Sequence, residues 1–154
     1  MVSRKHGVTL AIRTADCLPI LLADADAGVI AAVHAGWRGT VANVAARAVH
    51  VMVEMGAATT AIHADLGPAI ADCCFTVDGE CRQQLQQTAS GIGMVAQGAL
   101  QSASLSAINR WQLEEAGIDS HHITDQRVCT CCTTNYFSHR RDNSPWRQLA
   151  LIGV

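Results

Sequence analysis

No apolar run in this chain approaches the length of a bilayer crossing. The longest, such as residues 17–23, fall far short, so no transmembrane helix is expected. No secretory leader is expected either: Arg4 and Lys5 are not followed by an apolar region and a cleavage site. Excess positive charge is lacking too. The formal net charge is -2 at pH 7, which removes the electrostatic case for nucleic-acid binding. Charged residues are scarce, at 16% against 49% hydrophobic, and that balance excludes a disordered chain. Lysine is nearly absent, Lys5 being the only one. The arginines suit bidentate recognition of phosphate or carboxylate, although GC-rich codon usage accounts for most of them.

What is present fits one domain. The chain has 154 residues, enough for a real core, and shows neither an internal repeat nor an interdomain linker. Cysteine is abundant. Seven is an odd number, so the cysteines cannot all pair within the chain. Without a leader they read as reduced thiols, ligands or core residues of a cytoplasmic protein.

The apolar segments 8–13, 18–23 and 29–33 read as buried strands. The turn Asp24-Ala-Asp-Ala-Gly28 between the last two predicts an antiparallel hairpin. Such a hairpin brings Cys17, at the start of one strand, next to His34, at the end of the other. A helix is expected to open at Gly39-Thr40 with Thr40 as N-cap, its apolar face running from Val41 to Met55. Arg38 would then sit just before a helix N-terminus, which favours anions. Further strands are expected over 61–66, between Ile123 and Val128, and over 149–152. Residues 74–77 are short and apolar. Helices are expected over 82–87 and 105–116, and an irregular stretch over 90–98. This alternation predicts a mixed α/β fold.

Three constellations carry possible chemistry. Cys17 and His34 are the side chains suited to a soft divalent metal or to a nucleophile–base pair; singly, each would be an ordinary core residue. Cys129-Thr-Cys-Cys132 has the C-x-x-C spacing of half a zinc site or a redox pair. Cys73-Cys74 or His121-His122 would complete a site only if the fold brought them close. Because adjacent ligands are uncommon, Cys129, Cys131 and Cys132 are read as packing thiols. Ser138-His-Arg-Arg-Asp142 is either a solvated turn or an anion clamp, with one arginine facing the site and the other tied to Asp142.

Several motifs occur in fixed order: Thr14-Ala-Asp-Cys-Leu-Pro19, Ala32-Val-His-Ala-Gly-Trp-Arg-Gly39, Leu66-Gly-Pro-Ala-Ile70 with Cys74-Phe75, Asn109-Arg110 with Gln112-Leu113, Cys129-Thr130, Phe137-Ser-His-Arg-Arg-Asp142 and Arg147-Gln-Leu-Ala-Leu-Ile152. In these the chain resembles the laccase-domain family of bacterial polyphenol oxidases, also described as purine nucleoside phosphorylases or peptidoglycan editing factors. The resemblance implies a layered α/β/β/α fold of mixed sheets, similar to the cysteine-hydrolase-like domain of cytotoxic necrotizing factors. It implies a metal, usually zinc with copper as the alternative, held by two histidines and one cysteine. Cys17 and His34 match two of these ligands and so become the catalytic candidates.

The implied reactions are phosphorolysis of adenosine, inosine and methylthioadenosine, and deamination of adenosine. The expected partners are therefore a purine nucleoside and phosphate, with Arg38, Arg140 and Arg141 as phosphate candidates. The family's other histidine ligand lies in a Val-His-Gly motif upstream of Thr14. Residues 1–154 are accordingly expected to form the C-terminal part of a family member. Ser104 and Trp146 depart from the family's usual Asp and Gly. Three other readings stay open: copper-dependent phenol oxidation, a metal-free Cys–His hydrolase, and an inactive remnant.

Overall fold

The hairpin expected near the start of the chain forms the middle of a sheet. In the computed structural model, which describes residues 1–91 and 103–154, strands β3 (Leu18–Asp24) and β4 (Val29–Ala35) pair antiparallel, from Leu18 opposite Ala35 to Asp24 opposite Val29. Asp24 closes the turn by accepting N–H bonds from Ala27 and from the more distant Ala58, each at 2.9 Å. The short β1 (Val2–Ser3) adds to β4. On the other side, β5 (His63–Leu66) pairs antiparallel with β3, and β6 (Ile123–Asp125) pairs parallel with β5. The strand order is β1-β4-β3-β5-β6.

The two faces of this sheet do different things. Leu18, Ile20, Leu22, Ala31, Val33 and Ala35 point to the side covered by helices α2 (Val44–Glu54) and α4 (Leu105–Glu115), and join Val49, Met52, Leu105 and Leu113 in the main core. Each such fully buried Leu, Ile, Val or Met side chain contributes about 1.5–3 kcal/mol. The opposite face presents Leu21, Ala23, Ile30 and Ala32 to a second sheet, in which β2 (Thr9–Thr14) pairs antiparallel with β7 (Gln148–Gly153). The layers therefore run helices, five-stranded sheet, two-stranded sheet. The mixed α/β class expected from the alternation is observed.

Several local expectations are corrected. β2 is not buried on both sides: Leu10, Ile12 and Thr14 are buried, while Thr9, Ala11 and Arg13 are exposed. It belongs to the outer sheet, and only one of its faces meets a partner. The outer face also carries Leu149 and Leu151, both more than half exposed. The expected single helix after Arg38 is two helices. α1 (Trp37–Val41) starts after an extended Gly36, and α2 restarts after Asn43, a left-handed residue with φ 57°. Thr40 lies inside α1 rather than capping it. Its buried hydroxyl accepts from Asn109 Nδ2 and its carbonyl from Gln112 Nε2, both at 2.8 Å. Arg38 is accordingly a residue of α1, not one that precedes it.

The Gln-rich helix is longer than expected, α3 (Gly79–Gly91), and includes the start of the stretch expected to be irregular; residues 92–98 of that stretch lie outside the described residues. Residues 74–77 form no strand of the two sheets. The His139–Asp142 turn is one helical turn, α5, capped by the Ser138 hydroxyl. Among the described residues, no helix is long and apolar enough to cross a membrane.

Candidate metal and catalytic site

Cys17 and His34 come together as the hairpin dictates. Pro19 opposes His34 in the ladder, so the next pair on the same face is Cys17 and Gly36. A Cβ on Gly36 would stand 3.0 Å from Cys17 Sγ, which places the thiol over this residue and makes any larger residue there a tight fit. Cys17, one residue before β3, and His34 thus lie diagonally across the ladder at one end of the hairpin. His34 is the one exposed residue of β4. Gly39 serves the same geometry from the other side, since a Cβ there would press to 3.2 Å from the His34 carbonyl oxygen.

The residue before the thiol fixes it. Asp16 adopts φ 81°, the left-handed region that few residues other than glycine enter, and its buried carboxylate holds that conformation in place. It accepts from Thr130 Oγ1 and from the Arg140 N–H, both at 2.7 Å. The Asp16 carbonyl accepts from the Ile70 N–H at 2.9 Å. Three separate parts of the chain therefore converge behind Cys17. Burial pushes the Cys17 thiol above its ordinary pKa, the Asp16 charge adds to that, and the Arg147 guanidinium pulls the other way. Asp16, Thr130 and Arg147 lie inside the recognised motifs, yet nothing local in the sequence marks them as the support of this site.

The arginines divide by what they already hold. Arg38 is exposed and its guanidinium lies 4.2 Å from the centre of the Trp37 ring. Arg140 donates through Nη1 to the carbonyls of Cys74 and Thr76 and to the Thr76 hydroxyl. Among the described residues its Nε and Nη2 make no bond. Arg141 is tied to Asp142, as the anion-clamp reading expects, and also donates to the carbonyls of Thr130, Cys131, Thr133 and Tyr136. All its nitrogens are engaged, so it braces the turn.

Two clefts lie nearby. One of about 250 Å³ borders the Cys17–His34 face and is lined by Pro19, Gly67, Gln126, Tyr136 and Leu149. A larger one, about 410 Å³, takes in Leu18, Ile70, Arg110, Asp125, Arg127 and Ser106, and neither cleft is lined by Cys17 or His34. Arg110 and Asp125 in it are already engaged within the protein. Arg110 is bonded to Glu114 and to the carbonyls of Ser120 and Ile123, and Asp125 accepts from Ser106 Oγ and the Arg127 N–H.

The cysteines expected to be packing thiols are not packed in the core. Cys73 and Cys132 are exposed, Cys74 and Cys129 half-buried, and their four Sγ atoms lie within 4.8 Å of one another. Among the described residues this is the only gathering of three or more histidine, cysteine or carboxylate groups at metal-binding distances. His121 and His122 do not contribute; His122 stacks on His63, ring centres 4.0 Å apart. For Cys129, burial raises the thiol pKa, but N–H bonds from Ala71, Cys132 and Cys131 outweigh it and bring the value down to about 7. Cys73 is pushed up to about 11 by its contacts with Cys132 and Cys129.

Comparison with known proteins gives a consistent picture. The family described as "Multi-copper polyphenol oxidoreductase laccase" matches residues 1–154. The chain is 38% identical to a purine nucleoside phosphorylase of Deinococcus radiodurans over 157 aligned residues, covering 100% of this chain and 60% of that protein. It is 37% identical to adenosine deaminase RL5, of an unknown prokaryotic organism, covering 92% of this chain and 56% of the relative. The crystal structure of YlmD from Geobacillus stearothermophilus superposes with a TM-score of 0.85 at 35% identity, over 99% of this chain and 59% of that one. YfiH of Bacillus licheniformis gives a TM-score of 0.86 at 30% identity, over 99% and 60%. The chain thus spans about three-fifths of the length of these relatives.

Proposed function

The chain belongs to the multi-copper polyphenol oxidoreductase laccase family, and from that membership we propose that it acts on purine nucleosides. The reactions are phosphorolysis of adenosine, inosine or methylthioadenosine, and deamination of adenosine. The relatives named purine nucleoside phosphorylase and adenosine deaminase support this reading. The observation that carries it in this chain is the Cys17–His34 pair on one sheet face, with Gly36 leaving the space beside the thiol open.

A thiol and an exposed imidazole on one sheet face are two of the three protein donors that a catalytic zinc takes, so zinc would be held here together with one further donor. A metal held there supplies Lewis acidity toward water or substrate. The remaining roles fall to the chain. Asp16, through Thr130 and the Arg140 N–H, fixes the backbone that presents Cys17. The cleft lined by Pro19, Gly67 and Tyr136 would offer space for an apolar purine face. Arg38 and the unbonded edge of Arg140 are the cations for phosphate. Arg141, with every nitrogen already donating, serves as a positioning residue for the turn.

A metal-free thiol nucleophile is the weaker reading. Burial and Asp16 push the Cys17 thiol up, opposite to what an activated thiolate needs, and no hydrogen bond joins Cys17 to His34 among the described residues. Oxidation of phenols at a multicopper centre needs a cluster of histidines, and the only cluster of metal donors among the described residues is made of cysteines.

The test is turnover of adenosine and inosine, with and without inorganic phosphate, followed by chromatography of base and nucleoside. Cys17→Ala and His34→Ala are expected to lower turnover at least about a hundredfold, as loss of a ligand costs more than loss of its supporting contacts. Turnover unchanged in Cys17→Ala would overturn the proposal.

A further inference from the structure

The geometry points to a second metal site, a zinc tetrathiolate formed by Cys73, Cys74, Cys129 and Cys132, distinct from the Cys17–His34 pair. The sulfur positions carry it. Cys74 and Cys132 are 3.3 Å apart, Cys73 and Cys132 3.6 Å, and Cys73 and Cys74 3.8 Å, with all four sulfurs inside 4.8 Å. A tetrahedral zinc with Zn–S bonds of about 2.3 Å requires sulfur–sulfur edges of about 3.8 Å. The four thiols already bracket that figure. None of these contacts approaches the length of about 2.0 Å of a disulfide.

The backbone explains how two remote pairs meet. Ala69 and Cys129 form a parallel bridge, with the Ala69 N–H donating to the Val128 carbonyl and the Thr130 N–H to the Ala69 carbonyl. Each cysteine pair then sits on its own tight turn. The Cys74 N–H donates to the Ala71 carbonyl, and the Thr133 N–H donates to the Cys129 carbonyl. Cys129-x-x-Cys132 has the usual ligand spacing of structural zinc sites. Cys73 and Cys74 are adjacent, an uncommon spacing, but the turn already sets their sulfurs a tetrahedral edge apart. The Ala71 N–H donates to Cys129 Sγ at 3.4 Å, the kind of outer contact that steadies a metal thiolate.

Charge and exposure agree. Zinc with four thiolates is a dianion. Arg140 lies on the Cys74 carbonyl and Arg141 on the carbonyls of Thr130 and Cys131, so two guanidinium groups flank the cluster. Two of the four thiols are exposed. Their exposure excludes a packing role and leaves them open to oxidation unless a metal holds them. The site would clip the segment after β5 to the segment after β6. Those segments contribute the Ile70 N–H and the Thr130 hydroxyl that hold Asp16, so the clip stiffens the wall behind Cys17.

The experiment uses the whole chain, reduced and stripped of metal. On addition of one equivalent of zinc, iodoacetamide labelling and mass spectrometry are expected to show protection of Cys73, Cys74, Cys129 and Cys132 among the seven cysteines. Cobalt(II) in place of zinc should give the intense thiolate-to-metal absorption of a tetrahedral, all-sulfur centre. Cys17→Ala and Cys131→Ser should keep about one zinc per chain and that spectrum. Cys74→Ser with Cys132→Ser should lose both and melt at a lower temperature. If the double variant does not fold, the labelling and cobalt spectra of the unaltered chain decide alone. The inference is overturned if Cys17→Ala abolishes all stoichiometric metal, if cobalt shows fewer than four thiolates, or if zinc leaves the four cysteines as reactive as before. None of these readouts depends on nucleoside turnover, so this site and the nucleoside reading can fail separately.

Discussion

Asp24 shows how much a single side chain can hold. Only 2% exposed, it caps the β3–β4 turn through Ala27 and reaches across to the Ala58 N–H before the next strand. These two N–H bonds hold its carboxyl below the usual pKa, against a smaller opposing effect of burial. Its stabilising effect is therefore complete above the unfolded value of about 4 and is lost as pH falls through the lower folded value. Urea unfolding measured across the acid range should show stability falling below about pH 4, and Asp24→Asn should flatten that fall. At neutral pH, Asp24→Ala leaves two N–H groups without acceptors and should cost about 1–3 kcal/mol. The turn was legible in the sequence because its signals are adjacent: Asp at the start, Gly at the end, apolar runs on both sides. The convergence of Cys17 and His34 was legible for the same reason. Asp16 was not. Its partners, Thr130 and Arg140, lie at the far end of the chain, and only the folded backbone brings their donors to one carboxylate.

The break between α1 and α2 is an element-scale feature with a side-chain cause. Thr40 has the composition of an N-cap, and the apolar periodicity after it fits one helix, so sequence reasoning places a start there. Tertiary contacts decide otherwise. Asn109 and Gln112, both buried on α4, claim the hydroxyl and the carbonyl of Thr40. That pins α1 beneath α4 and leaves Asn43 to turn the chain. Thr40→Val keeps the shape and removes the acceptor, so Asn109 Nδ2 loses one of its two partners inside the core. Denaturant unfolding should report a loss of about 1–3 kcal/mol, larger than the change from Thr59→Val, whose side chain makes no such bond among the described residues. The cysteine cluster follows the same logic. Cys129-x-x-Cys132 is visible in the sequence, and so is Cys73-Cys74. What the sequence does not display is the parallel bridge at Ala69 that sets the two turns side by side.

At the scale of the whole molecule, the two sheets are unequal. The five-stranded sheet has the main core and its helices on one face. The two-stranded sheet rests on a small cluster, Leu10 and Ile12 against Ile30 and Ala32, and its other face is open. Two strands alone are marginal, so this sheet should open at lower free energy than the hairpin beneath it. Native-state hydrogen exchange should find the ladder amides of β2 and β7 exchanging well before those of β3 and β4; equal protection in both sheets would contradict this. The α/β class was legible from the alternation of apolar segments. The split into two sheets was implied by the family resemblance but not by the apolar pattern, because the pairing of β2 joins segments distant in the sequence and leaves no local trace. That pairing also orders events during synthesis. β2 leaves the ribosome before the β3–β4 hairpin, yet its hydrogen-bonding partner β7 is translated only long after that hairpin. Leu10 and Ile12 must wait, half-assembled, until β7 emerges, and a nascent chain stalled before β7 would present an unpaired, apolar strand to whatever chaperone or neighbouring chain it meets first.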